Sequence, residues 1–324
     1  MIIVQTPLRV SFLGGGTDFD DFSHDNGGVV LSTTIDKCTF VFVKERFDDL
    51  IYLHYRNTET ATKIDDIRHE LVREAMRLAG VESGVEISTF VDVRDGSGLG
   101  SSSSITVGLL QALHAYKGEV KDSETLAKQA CQIEINNLRK PIGRQDQYIV
   151  AYGGFRLITF NNSGVTVESV SLSPEVKRML SERLLLFFTG RTRKSEDILT
   201  EQKANINDNL DFLKELKGLV YKGKQAISEG RLDDFGKLLH EGWLYKRRLA
   251  SKVSDGGLDE MYGAALKAGA LGGKICGAGG GGFLLLYCPL ERRDSVRSAL
   301  RGLEEIPFHL ERDGSKVLFN YRRG

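Results

Sequence analysis

The stretch Val91-Asp92-Val93-Arg94-Asp95-Gly96-Ser97-Gly98-Leu99-Gly100-Ser101-Ser102-Ser103-Ser104-Ile105 is a strand end, a glycine-rich turn and a helix start in one run. Gly96, Gly98 and Gly100 lack a Cβ, so the backbone can reach positive φ and close around an anion. A helix opening near Ser101 adds unpaired N–H groups and the positive end of its dipole, which together favour phosphate. Ser102 or Ser103 supplies a hydroxyl within reach of a magnesium ion. Glycine and serine also dominate flexible linkers. Here, though, the run is pinned between a strand over 85–91 and a helix that puts Ile105, Leu109, Ala112, Leu113 and Tyr116 on one face.

Other phosphate loops do not match. No lysine follows Gly100, as a Walker A loop requires. A dinucleotide fold needs a parallel strand straight after the helix, whereas residues 123–140 have a second helical pattern. Asp234-Phe235-Gly236 spells the metal-binding triplet of protein kinases, but it lies within a helical pattern and the chain has no His-Arg-Asp loop.

The chain has 324 residues, room for two domains, and its 44 Lys plus Arg balance 44 Asp plus Glu. That balance gives no nucleic-acid footprint. Lys246-Arg247-Arg248, the densest basic run, is expected to be a solvated helix face. With no apolar stretch of spanning length and no signal peptide, no membrane partner is expected, and the location expected is cytoplasmic. Cys38, Cys131, Cys276 and Cys288 form no Cys-x-x-Cys pair and are expected as buried thiols. The six histidines lack metal-ligand spacing.

Short strands are expected over 2–4, 8–13, 29–35, 39–43 and 51–55, with a helix over 70–78 before the glycine turn. Two helices follow it. A hairpin over 155–160 and 165–172, a strand over 184–189, a helical stretch over 195–270, a second glycine run, a strand over 283–287, a helix near 292–303 and two terminal strands complete the chain. Antiparallel strands with segregated helices make this an α+β fold.

On the helix expected over 123–140, Leu126, Ala130 and Ile133 share one stripe and Glu134 continues it inward. A carboxylate facing a core needs a metal, a proton or a cationic partner. Magnesium meets that need, and so would a salt bridge to an arginine. Pro141 and Gly143 then reverse the chain, so that Asp146, twelve positions after Glu134, can face the same cleft. The run Lys274-Ile275-Cys276-Gly277-Ala278-Gly279-Gly280-Gly281-Gly282-Phe283 offers backbone contact to a substrate, or simply a tight entry to the following strand.

Taken in chain order with Pro7-Leu8-Arg9-Val10-Ser11-Phe12-Leu13-Gly14-Gly15-Gly16-Thr17-Asp18-Phe19, the two glycine loops resemble those of the GHMP kinases. The resemblance spans the whole chain. It implies the GHMP kinase fold: an N-terminal ATP-binding domain like a ribosomal-protein domain (1–165) and a ferredoxin-like C-terminal domain (166–324), with the active site between them. It also implies ATP and Mg2+ as cofactors and a small-molecule sugar phosphate as the acceptor. Gly96, Ser97, Gly98, Leu99, Gly100, Ser101, Ser102 and Ser103 would then bind ATP. As in galactokinases, a glutamate is followed twelve positions later by an Asp-Gln pair, here Asp146-Gln147. By that resemblance Ser102 and Glu134 hold the metal, Asp146 accepts the proton of the attacking hydroxyl, and Arg9 stands beside it. Phosphoryl transfer needs charge neutralisation and an oriented nucleophile, which these groups can supply.

Galactokinases have Gly-Glu-His-Thr-Asp-Tyr where this chain has Gly14-Gly15-Gly16-Thr17-Asp18-Phe19. The resemblance thus gives Gly15, Gly16, Thr17 and Asp18 to the sugar, with Asp146, Gly279 and Gly280. Losing Glu and His leaves room for a longer, anionic sugar. The Gly-Gly-Gly-Thr-Asp form, with Ser32-Thr33-Thr34-Ile35-Asp36, is similar to bacterial kinases that phosphorylate C1 of D-glycero-D-manno-heptose 7-phosphate for GDP-heptose synthesis. A fucokinase-like or other hexose 1-kinase and a non-catalytic sugar sensor are the alternatives. Arg191, Arg193 and Lys194 are the candidate cations for a remote phosphate, against which Glu196 and Asp197 count.

Overall fold

The computed structural model describes residues 1–192 and 194–321. Among these residues, twelve strands make an eight-stranded and a four-stranded sheet, with helices packed against both, in keeping with the α+β class. The first sheet is built on Ile2–Leu13 and Gly28–Glu45, paired antiparallel. Its order runs Lys316–Asn320, Ile2–Leu13, Gly28–Glu45, Val85–Val91, Ile51–His54, Thr58–Ala61. The hairpin Phe155–Asn161/Gly164–Ser169 joins at the first half of Gly28–Glu45.

Four short strands were expected where two long ones stand. Pro7, which has no N–H to give, sits at a bulge: the register passes from Pro7 opposite Cys38 to Leu8 opposite Ile35. Asp36 and Lys37 are thereby extruded, and the ladder bends without ending.

Helix Ser101–Lys117 lies across this sheet, burying Val107, Leu109, Leu110 and Leu113. Gly108 permits that approach, because a Cβ there would stand 2.8 Å from Thr6 Oγ1 and 3.0 Å from Val41. The anion-binding end of the helix is therefore fixed against the two central strands.

The helix expected over 123–140 is α-helical only over Ser123–Cys131 and continues as a π-helical turn over Gln132–Asn137. Such turns are rare and concentrate at functional sites. Here the wider turn carries Ile133 and Glu134, both buried.

The second sheet is antiparallel throughout, in the order Glu304–Glu305, Leu184–Phe188, Phe283–Tyr287, Gly272–Ile275. The helical stretch resolves into Ser195–Ala204, Leu210–Ser228, Leu232–Lys246 and Gly256–Lys267. One core cluster joins the halves: Leu8, Val10 and Phe12 of the first sheet pack with Leu186, Phe283 and Leu285 of the second and Phe235 of Leu232–Lys246. The Phe12 ring stacks on Phe155 at 5.5 Å and meets Phe235 edge-on at 5.3 Å. The division expected between 165 and 166 falls inside the hairpin, and Lys316–Asn320 returns to pair with Ile2–Gln5. The two expected terminal strands thus belong to different sheets.

Candidate active site

Both glycine loops border one cleft between the sheets, and they touch. A Cβ on Gly98 would lie 2.5 Å from the Cys276 carbonyl oxygen, and one on Gly277 would lie 2.6 Å from Gly98 Cα. Gly98 also has φ +74°. Gly98 is thus required by the loop-to-loop contact as well as by any anion. Gly98→Ala is expected to cost about 2 kcal/mol or more from overpacking and left-handed strain, read as a lower urea midpoint. An unchanged midpoint would contradict the close approach.

Of the residues expected to bind ATP, Gly96, Gly98, Gly100, Ser101, Ser102 and Ser103 line the cleft. Ser97 and Leu99 are buried and serve the loop's anchorage. The Ser97 carbonyl accepts from Phe283 N–H at 3.2 Å and the Leu99 carbonyl from Arg9 N–H at 2.9 Å. Gly100 caps the helix in the left-handed conformation (φ 78°, ψ 24°), no side chain caps it, and no acidic residue stands in its first turn. The end of Ser101–Lys117 is therefore free to receive an anion.

Glu134 is fully buried. Its Oε1 accepts from Ser102 Oγ at 2.6 Å, and its Oε2 accepts from Ser103 Oγ at 2.8 Å and Gln147 Nε2 at 2.6 Å. Burial pushes its pKa up, and those three donors pull against the shift. Among the described residues no arginine pairs with it, so the salt-bridge alternative does not hold. Among the same residues no group of three or more His, Cys, Asp or Glu is placed to hold an ion. A hard carboxylate beside a serine hydroxyl fits Mg2+, which takes one or two carboxylates and completes its shell with phosphate oxygens and water.

Arg9 and Asp146 form a bidentate pair: Nε and Nη2 each donate to one carboxylate oxygen at 2.7 Å. Arg9 Nη1 donates to the Gly98 carbonyl at 2.6 Å. Burial works against the guanidinium charge, but Asp146 outweighs it and the Arg9 pKa is raised. Asp146 keeps 24% of its side chain exposed, and it borders the cleft at the start of Gln145–Tyr152.

At the sugar end, Gly15, Gly16 and Asp18 border the cleft. Only Gly15 opens space. A Cβ on Gly16 (φ +105°) would press on Leu249 and Leu213 at 3.3 and 3.4 Å, whereas one on Gly15 would have nothing closer than 3.7 Å. Asp18 is buried, and its oxygens accept from Gly16 N–H (3.0 Å), Gln145 N–H (3.2 Å) and Gln145 Nε2 (3.0 Å). Burial first, then nearby Asp146, raises its pKa.

Thr17 was expected at the sugar and is instead a turn residue. Its hydroxyl faces the Gly14 and Val29 carbonyls at 2.8 and 2.9 Å and accepts from Val29 N–H. In the second loop Gly277, Ala278, Gly279 and Gly281 line the cleft. Gly280 does not: its N–H is turned to the Val253 carbonyl at 2.8 Å.

Arg191 also needs correction. Its Nη1 is held by Asp255 at 2.8 Å and it does not line the cleft, because a nearby carboxylate already satisfies the cation. Lys194 is exposed and also lies off the lining, while Arg193 lies outside the described residues.

The residue the sequence pattern missed is Lys246. It was expected on a solvated face, yet it is 6% exposed, lines the cleft and donates to the Gly277 carbonyl. The signal was present. Phe235, Leu239, Gly242 and Lys246 continue one helical stripe, and the first three are buried.

Models of the GHMP kinase N-terminal domain and C-terminal domain match residues 67–154 and 224–304. A D-glycero-alpha-D-manno-heptose 7-phosphate kinase from Campylobacter jejuni is 30% identical over 93% of both chains. The chain belongs to the GHMP kinase family. It is an ATP-dependent phosphotransferase, as members of the family are. A D-glycero-D-manno-heptose 1-phosphate kinase from Bacteriodes thetaiotaomicron superposes on this GHMP kinase with a TM-score of 0.83, at 23% identity, over 99% of this chain and all of that one. Galactose-bound Lactococcus lactis galactokinase gives 0.77 at 19%, over 98% and 94%. At those identities the likeness is one of fold. Among the described residues of this GHMP kinase, no helix is long and apolar enough to cross a membrane.

Proposed function

We propose that this enzyme transfers the γ-phosphate of ATP to the anomeric hydroxyl of D-glycero-D-manno-heptose 7-phosphate, giving the 1,7-bisphosphate for nucleotide-activated heptose. One observation carries the choice of acceptor. The floor at Gly15 is open and faces polar groups where a hexose kinase has a glutamate. The Campylobacter jejuni relative, named for that substrate, supports the same reading.

In this reading the uncapped N-terminus of Ser101–Lys117 and the 96–103 loop hold the triphosphate. Glu134 and Ser102 hold Mg2+. Bound there, the ion would supply neutralisation of the charge carried by the transferred phosphoryl group. Asp146 accepts the proton of the attacking hydroxyl, and Arg9 fixes the direction of that carboxylate. The second loop, at Gly277 to Gly279, closes the cleft over the reacting groups.

The heptose phosphate should be turned over in preference to galactose, fucose and mannose. Phosphorus NMR of the product should show a new anomeric phosphate beside the original ester. A free hexose turned over as well as the heptose phosphate would overturn the assignment.

A further inference from the structure

The nearest atoms to a Cβ built on Gly15 are Gln145 Nε2 at 3.7 Å, Ser11 Oγ at 3.8 Å and Lys246 Nζ at 4.0 Å. Three polar groups from three separate elements therefore converge on one small space. One of these three atoms is unsatisfied. Ser11 Oγ is buried without a hydrogen-bond partner, whereas Gln145 Nε2 is already given to Asp18. Buried polar atoms are nearly always paired in a finished site, so unpaired ones facing a cleft mark where a ligand belongs.

Lys246 adds charge to that space. Its ammonium donates to one carbonyl, that of Gly277, and among the described residues no carboxylate lies within ion-pairing distance of it. The charged and titratable groups facing it are Arg9, Asp18, Asp146, Cys276 and Lys274. Arg9 is already committed to Asp146, and Asp18 to Gly16 and Gln145. Lys274 is held by the Ser11 and Phe12 carbonyls at 2.7 and 3.2 Å. Burial pushes Lys274 well down toward its neutral form and Asp18 up toward its own. Arg9 answers Asp146, so among these described residues Lys246 is the cation left without a carboxylate of its own. Glu196 and Lys140 border the same cleft.

The geometry points to the space over Gly15 as a phosphomonoester subsite, in which Lys246 and Ser11 grip the remote phosphate of the acceptor and Lys246 sets the preference for a phosphorylated sugar. This rests on the acceptor being a sugar phosphate, and it replaces Arg191 as the counter-charge. The absent Cβ at Gly15 leaves room for the phosphate oxygens. Burial first, with the nearby charge of Arg9, lowers the Lys246 pKa to about 8 against the pull of Cys276, Asp18 and Asp146, and an incoming dianion would reverse that shift.

The test compares kcat/KM for heptose 7-phosphate with that for unphosphorylated heptose in the wild type, Lys246→Met and Lys246→Arg. In Lys246→Met the ratio should fall about ten- to hundredfold, the value of one charged phosphate contact, while the KM for MgATP holds. Lys246→Arg should restore most of the ratio. In the wild type, kcat/KM for the phosphorylated sugar should drop as pH rises through about 8, where the free enzyme loses the cation. That alkaline limb should flatten in Lys246→Arg, so the profile tests the idea even if the Met variant does not fold.

A second arm separates this proposal from the choice of sugar. Inorganic phosphate is titrated into protein whose nucleotide loop is filled with MgADP, and followed by phosphorus NMR. Phosphate binding that Lys246→Met abolishes supports the subsite even if heptose 7-phosphate proves a poor acceptor. An unchanged ratio in Lys246→Met, or phosphate binding indifferent to that substitution, overturns it.

Discussion

Asp146→Asn should lower kcat by about two to four orders of magnitude while MgATP binding stays within a few-fold of wild type. The substitution keeps the shape of the side chain and one acceptor for Arg9, but the amide cannot take a proton from the sugar. Among the described residues the side-chain hydrogen bonds of Asp146 go to Arg9, whose Nη1 in turn reaches the Gly98 carbonyl of the 96–103 loop. That link predicts the limited side effect. Loosening Arg9 should cost a little nucleotide affinity, far less than the loss in turnover. Titration calorimetry with MgATP and single-turnover assays separate the two effects. A variant that retains more than about a tenth of wild-type turnover would remove Asp146 from the chemistry.

The parts legible in sequence are those whose physics is local. Gly96, Gly98 and Gly100 announce positive φ, and all three have it. The serines after them begin a helix because nothing there opposes one. Glu134 was found by period, since the apolar stripe of Leu126, Ala130 and Ile133 led inward to it. The π-helical turn that carries it left no such mark, because a change in hydrogen-bond step does not alter composition.

What was hidden is long-range. The bulge at Pro7 and Asp36-Lys37 looks like two strand breaks until the partner strand is known. Lys316–Asn320 could not be assigned to the first sheet, because nothing in five residues says which edge they will meet. Side-chain partners misled in the same way. Arg191 is committed to Asp255, sixty-four positions away, and Thr17 to the Val29 backbone. For Lys246 the neighbouring Arg247 and Arg248 drew attention from a stripe that already placed it inside.

Glu134→Gln should raise the magnesium concentration for half-maximal activity and lower kcat/KM for MgATP by about a hundred- to a thousandfold. That range corresponds to the several kcal/mol that a metal's charge contributes to phosphoryl transfer. The same substitution should leave the metal-free protein at least as stable as wild type. A fully buried carboxylate whose pKa is already pushed up by burial gives back part of its desolvation cost when the charge is removed. Glu134→Ala should behave differently. It leaves the Ser102 and Ser103 hydroxyls and the Gln147 amide without their acceptor, and each stranded donor costs about 1–3 kcal/mol. Urea unfolding without magnesium, set against activity as a function of magnesium, distinguishes a metal ligand from a structural carboxylate. A structural Glu134 would be needed for stability in both variants and would leave the magnesium dependence of the folded Gln variant at the wild-type value. A metal ligand divides the two readouts: the Gln variant keeps its fold and loses its ion.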